Sequence, residues 1–291
     1  GIFVEVNSNS ISVTYNTVRT SGTSANFGIY FSSSNSGTAT NNNINTSGTA
    51  ANPVSHGFYL VNSLRNNITL NNITTSANNS FGILFQKSNS SNVTGNFITT
   101  TGNLSFAVQL DTSGNNSIYN NVFNTTARHV NITGTTSNNF SLDAITARTN
   151  IVGGSNLGGN FYDNSTVGGQ AAYSLTCADA DRDGICDASL THATNNVDFF
   201  PLAAPPITCG DLSTAGQNYT LRSNLDNEST CFYIKADSVT LDCAGFAVRY
   251  ANASSGYGIN ITGYNSTTVR NCNFLQQNSS VHYSPGIFAL R

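Results

Sequence analysis

The stretch NNSFGILFQKSNSSNVTGNFI, residues 78–98, holds a two-part phrase that the chain repeats. A glycine leads alternating apolar residues, Gly82-Ile83-Leu84-Phe85, and after a polar turn an asparagine precedes an apolar residue by two places, Asn96 and Ile98. The first part recurs as Gly1-Ile2-Phe3-Val4, Gly28-Ile29-Tyr30-Phe31 and Gly57-Phe58-Tyr59-Leu60, with Ala107-Val108-Gln109-Leu110 as a weaker copy. The second recurs at Asn16 and Val18, Asn42 and Ile44, Asn71 and Ile73, and Asn120 and Val122. A period of ~23 to 29 residues holds strands and turns but is too short for a propeller blade. Leucine-rich repeats need regular leucines and a helical stretch, and Asn and Gly break these segments. The pattern predicts an all-β chain, a parallel β-helix in which each period is one coil and alternate residues point inward. Equivalent asparagines then stack as an inward ladder, amide on amide, at a coil corner.

Composition agrees with strands and turns. Only 9% of the 291 residues are charged and Met and Trp are absent, while 17 Phe and 12 Tyr recur with many Ile and Val at regular places, unlike a disordered chain. A net charge of -3, with 11 scattered Lys and Arg, leaves no basic stripe for nucleic acid. No apolar run reaches membrane-spanning length, and the first residues lack a signal peptide's basic start and apolar stretch, so the sequence reads as mature and extracellular. About eighteen N-x-S/T sequons, among them Asn67, Asn72, Asn92, Asn131, Asn164, Asn218, Asn260 and Asn278, permit N-linked glycans.

Six cysteines, Cys177, Cys186, Cys209, Cys231, Cys243 and Cys272, fit neither a zinc ribbon nor a CxxC redox site and suggest disulfides in an oxidising compartment. In VTLDC (239–243) and TVRNC (268–272), Cys243 and Cys272 take the place of Asn96 and should stack on successive coils within disulfide reach. Cys177 and Cys186 flank DADRDGICD, residues 179–187. There Asp179, Asp181, Asp183, the carbonyl of Ile185 and Asp187 match the first, third, fifth, seventh and ninth positions of a calcium loop, around a Gly184 turn. Position twelve is Leu190 rather than Glu, so this is not a full EF-hand, and Asp198 is a candidate for the remaining ligand. The expected role of Ca2+ is structural.

GIYFSSSNSGTATNNNI (28–44) and residues 78–98 resemble the right-handed parallel β-helix repeats of the NosD-like family of surface proteins. LGGNFYDNSTVGG (157–169), the acidic loop and VDFFPL (197–202) resemble the segment that closes such a helix. Residues 208–246 resemble the disulfide-bearing entry to another one. The acidic loop resembles those of dockerins and thrombospondin type 3 repeats. The resemblance covers nearly the whole chain and implies a fold rather than an activity, since this repeat serves carbohydrate enzymes, adhesins and spacers. It divides the chain into a β-helical block over 1–160, a calcium-loop joint over 161–205 and a second, disulfide-bearing block over 206–291.

A polysaccharide lyase or hydrolase needs grouped carboxylates. Glu5, Asp111 and Asp143 are far apart, Asp237 and Asp242 suit turns, and Arg182 stands alone beside the metal loop. His56, His129, His192 and His282 share no repeat position and read as surface or turn residues. No catalytic residue is assigned. Tyr30, Phe31, Tyr59 and Phe85 could stack on sugars but alternate with Ile and Leu, so most are expected in the core. The expectation is an extracellular, cell-surface structural protein, a filament protomer whose partners are other copies of itself, head to tail. Gly286, Ile287, Phe288 and Leu290 would meet Gly1, Ile2 and Val4 of the next copy. The alternative is part of an adhesin, stalk or carbohydrate-binding β-helix that contacts surface polysaccharide.

Overall fold

In a computed structural model of the chain, all residues are described except 7, 24, 49–53, 135, 165–171, 182, 205–206, 222–223, 244, 279, 281–283 and 291. Short β-strands turn at polar corners and stack in parallel. Two compact units result, Gly1–Pro205 and Pro206–Arg291.

The first unit has three parallel sheets. The first contains Ile2–Val4, Ile29–Ser32, Phe58–Val61, Ile83–Gln86, Val108–Asp111 and Val130–Thr133. Ser12–Thr14, Thr38–Thr40, Asn67–Thr69, Asn92–Thr94 and Ser117–Tyr119 form the second. The third takes Thr17–Thr20, Asn43–Thr46, Asn72–Thr75, Phe97–Thr100, Val122–Thr125 and Phe161–Asp163. Registers are continuous, with Ile29, Phe58, Ile83, Val108 and Val130 in one column. The core is therefore a set of columns such as Phe31, Leu60, Phe85 and Leu110, all fully buried. The leading glycine is needed because the third sheet comes so close. A Cβ on Gly57 would lie 2.3 Å from Ile73 Cγ2 and 2.6 Å from the carbonyl of Gly82.

The asparagine ladder runs through Asn16, Asn42, Asn71, Asn96, Asn121 and Asn160, each Nδ2 donating to the next Oδ1 at 2.9–3.0 Å. The second-to-last of these corrects the sequence reading by one residue. Asn121 and Phe123 continue the columns of Asn96 and Ile98, whereas Asn120 takes a left-handed turn at φ 56° and Val122 is only half-buried. Further ladders were not anticipated. Ser34, Ser63, Ser88 and Ser113 each receive the preceding coil's backbone N–H or, for Ser34, bond back to the coil before it. Asn66, Ser91, Asn116, Asn138 and Asn196 form another, which starts in the same turns between the first and second sheets as the serines.

The stretch that follows Asn160 up to Ala204 belongs to the first unit. Tyr162 and Leu190 join its core, a short helix covers Tyr173–Thr176, and Leu190–Ala193 pairs antiparallel with Asn196–Asp198. The second unit repeats the design with smaller sheets, Gly210–Leu212, Phe232–Ile234, Ile259–Thr262 and Ile287–Leu290 forming the largest. Its core centres on Phe232, Ile234, Leu241, Val248 and Ile259. Disulfides Cys209–Cys231 and Cys243–Cys272 each tie one coil to the next, and Cys177–Cys186 closes the acidic loop.

Candidate functional site

The acidic loop brings carboxylate oxygens of Asp179, Asp181 and Asp187 within 4.8 Å of one another. Its backbone turns on these side chains: Gly184 N–H donates to Asp179 Oδ2 at 3.2 Å, Ile185 N–H to Asp183 Oδ1 at 2.8 Å and Ala180 N–H to Asp187 Oδ2 at 3.0 Å. Asp179 Oδ1 is buried without a hydrogen-bond partner, an acceptor that a cation would satisfy. Burial, with Asp183 and Asp181 nearby, raises the Asp179 carboxyl above the usual range. Like charges this close repel, so the oxygen set fits a hard divalent cation. Asp183 lies outside the three-residue group. Arg182 lies outside the described residues.

Asp198 is engaged elsewhere. It closes the asparagine ladder, its Oδ2 accepting from Asn160 N–H and Tyr162 Oη at 2.8 Å each, and its Oδ1 from Phe200 N–H at 3.1 Å. Burial pushes its carboxyl up to about 7 against those bonds. Tyr162 Oη also meets His192 Nε2 at 2.9 Å, and His129 Nε2 lies 2.7 Å from the carbonyl of Asp163.

The histidines therefore depart from the surface reading. His56 is buried and continues a column of rings, stacked between Phe27 and Phe81 at 5.6 and 4.8 Å, with Nδ1 accepting from Phe81 N–H. His129 is fully buried. His282 lies outside the described residues. Burial lowers His56 to about 3 and His129 to about 4, and burial with the His129 charge lowers His192 to about 3. In the unfolded chain these rings titrate near 6.5, so below that pH the unfolded state takes up protons the folded state refuses. Asp198 acts oppositely, because its raised value favours the folded state at acid pH and that gain fades as pH rises from about 4 to 7. Burial also raises Asp163 and Asp179, which act in the same sense as Asp198 near the ordinary carboxylate range, so the three histidines dominate above it. Urea midpoints of the first unit are expected to fall as pH drops from about 6.5 to about 5, with a net uptake of protons on unfolding. A flat profile would show that the histidines are not shielded as described.

The aromatic expectation was half right. Phe31 and Phe85 are core, but Tyr30 and Tyr59 face outward, where Tyr30 stacks on Tyr59 at 4.8 Å and on Phe3 at 4.6 Å. The carboxylates stay dispersed: Asp242 pairs with Arg270 at 2.8 Å, and Asp237 accepts from Asn265 N–H. Among the sequons, Asn72 and Asn164 are exposed. Asn92 Nδ2 donates to Asn67 Oδ1 at 3.0 Å, Asn131 Nδ2 to Gln109 Oε1 at 2.7 Å and Asn278 Nδ2 to the carbonyl of Asn252 at 3.3 Å. Asn260 Oδ1 accepts from Thr262. Asn218 lies in the strand Asn218–Thr220. Ile2 and Val4 pair with Ile29 and Phe31, and Ile287 and Phe288 with Ile259 and Asn260, leaving one edge of each strand without a strand partner among the described residues. No helix of the described residues is long and apolar enough to cross a membrane.

No curated protein matches the chain. One solved structure that does is HetL, a pentapeptide repeat protein involved in heterocyst differentiation regulation from the cyanobacterium Nostoc sp. strain PCC 7120. It is 10% identical, over 96% of this chain and 94% of that one, with a TM-score of 0.12. A family model described as periplasmic copper-binding protein (NosD) matches residues 1–167. Copper favours imidazole and sulfur ligands, and the described residues do not fit it. Met is absent, all six cysteines are in disulfides, and His56, His129 and His192 are bonded inside the structure. The fit is to the fold: with its stacked parallel coils and a match over more than half its length, the chain belongs to the NosD family.

Proposed function

We propose that the chain is an extracellular structural protein, the protomer of a cell-surface filament that lengthens head to tail by parallel strand stacking. The supporting observation is the likeness of two edge strands. Ile2–Val4 and Ile287–Leu290 each follow a glycine with Ile-Phe and share their facing. Ile2 and Ile287 lie in inward columns, while Phe3 stacks on Tyr30 and Phe288 on Tyr257, each at 4.6 Å. Ile287 and Leu290 are 49% and 59% exposed, and Phe3 54%. Setting Ile287 on Ile2, Phe288 on Phe3 and Ala289 on Val4 of a second copy would extend the core and the outer stack together.

Electron microscopy of native material beside its denatured mass tests this. Long fibres that dissociate into single protomers, and that Ile287→Lys reduces to short rods, are expected. Rods made of a much heavier polypeptide would overturn it and favour an adhesin or stalk in which further sequence occupies the edge.

In this reading N-linked glycans on exposed sequons such as Asn72 and Asn164 coat the filament. Ca2+ is held by Asp179, Asp181 and Asp187, with Asp183 and the Ile185 carbonyl as further ligands, and neutralises the loop beneath its Cys177–Cys186 bridge. A site filled at 100 times its Kd adds about 2.7 kcal/mol. Chelation should then lower the melting temperature by several degrees and open residues 178–188 to protease. Melting and cleavage unchanged in chelator would rule the ion out.

A further inference from the structure

Two aromatic columns run side by side outside the first sheet. Phe3, Tyr30 and Tyr59 form one, and Phe27, His56, Phe81 and Phe106 the other. Both stop part way along. The strand column passes to Leu84, Gln109 and Asn131. The corner column ends at Phe106, stacked on Phe81 at 5.4 Å, and no ring of the described residues stacks on its other side. Where the rings give out the surface sinks into a groove of about 650 Å³, walled by Phe81, Leu104 and Phe106 and lined by Gln86, Gln109 and Asp111. A second hollow of about 460 Å³ shares Leu104, Phe106 and Asn131 with it and ends at Arg128.

We propose that this groove binds a neutral polysaccharide. A pyranose has an apolar C–H face and a rim of hydroxyls that both donate and accept. Phe106 offers a ring face for the first, and the amides of Gln86, Gln109 and Asn131 with the Asp111 carboxylate offer both senses of hydrogen bond for the second. Charge selects among sugars. Asp111 is the one charged side chain lining the larger hollow, so hydroxyls can donate to it while uronates or phosphates are repelled. A wholly apolar occupant would leave Asp111 and the amides desolvated without partners.

The polar groups are set before a ligand arrives, which limits the ordering cost. Asn131 Nδ2 donates to Gln109 Oε1 at 2.7 Å, Thr133 Oγ1 to Asp111 Oδ1 at 3.0 Å and Gln86 Nε2 to Asp111 Oδ2 at 3.4 Å, while Tyr59 Oη donates to Gln86 Oε1. Neither Ile2–Val4 nor Ile287–Leu290 lines the groove, so its test is separate from that of filament assembly.

The test is affinity electrophoresis and titration calorimetry of the full chain, made in a host without N-glycosylation so that Asn131 carries no sugar of its own. The probes are soluble β-glucan, mannan, galactan and polygalacturonate. At least one neutral polymer should bind and polygalacturonate should not. Phe106→Ala should weaken binding about tenfold, equivalent to ~1.4 kcal/mol, with melting close to wild type; if that variant does not fold, Gln86→Ala should give a smaller loss in the same direction. No retention by any neutral polymer, binding unchanged in the folded variants, or equal binding of polygalacturonate would each overturn the proposal.

Discussion

Asn96→Ala is expected to lower the melting temperature of the first unit by roughly 8–16 °C, from a loss of about 4 kcal/mol. The side chain is fully buried and makes four bonds to the coils around it. Its Nδ2 donates to the carbonyl of Ile68 and to Asn121 Oδ1 at 2.9 Å each, and its Oδ1 accepts from Asn71 N–H and Nδ2 at 2.9 and 3.0 Å. Alanine leaves the buried Asn71 N–H without its acceptor and takes one bond each from Asn71 Nδ2, the Ile68 carbonyl and Asn121 Oδ1, although Asn71 Nδ2 keeps the Ala39 carbonyl and Asn121 Oδ1 keeps the Asn96 N–H. Buried groups left unpaired carry their full desolvation cost. The control is Asn72→Ala, the same change at an exposed strand position, where the effect should stay within about 0.5 kcal/mol. Thermal melts of the two variants decide the matter. If they melt within two or three degrees of each other, the ladder does not hold the coils together.

The second large effect is expected in the other unit. Replacing Cys243 and Cys272 by serine should remove about 3–4 kcal/mol, the value for cross-linking a loop of this size in the unfolded chain. For a domain as small as residues 206–291, each kcal/mol is worth ~4–8 °C. The melting transition of that unit should fall by some 12–30 °C while that of the first barely moves. The difference comes from the cores. In the first unit whole columns of Ile, Leu and Phe are shielded, whereas in the second Val269 and Phe274 are only half-buried and Leu275 is 36% exposed. With less apolar surface hidden, covalent ties between coils matter more. Calorimetry of the double variant would resolve the two transitions, and a shared shift of both would contradict the assignment.

The coil was legible because its signal is a column rather than a window. Gly28, Gly57 and Gly82, or Asn42, Asn71 and Asn96, mean little singly and become decisive when stacked. Where neighbouring positions carried the same residue type, the column blurred. Asn120 and Asn121 precede Val122 and Phe123, so pattern alone could not choose the register; packing did, because Phe123 fills the place of Ile98. The outward turn of Tyr30 and Tyr59 did leave a trace, since their column continues into Gln109 and Asn131. The serine ladder left one too: Ser34, Ser63, Ser88 and Ser113 each stand six residues after the leading glycine or alanine. Serine is so common between strands here that this constancy passed for composition. The carboxylates of the acidic loop were visible because they are local. The place of Asp198 was not, because it meets Asn160 from 38 residues away.

Every bond in the asparagine ladder points the same way. Asn42 gives to Asn71, Asn71 to Asn96 and Asn96 to Asn121, so each coil finds its acceptor on the coil that follows it in the chain. A chain emerging from its N-terminal end therefore always presents a newest coil with protons still to place, and that demand is met only when one more coil arrives. Another asparagine passes the demand on. Asp198 accepts from Asn160 N–H and Tyr162 Oη through Oδ2 and from Phe200 N–H through Oδ1 and carries no side-chain amide to hand forward, so the same chemistry that asks for each next coil stops at residue 198.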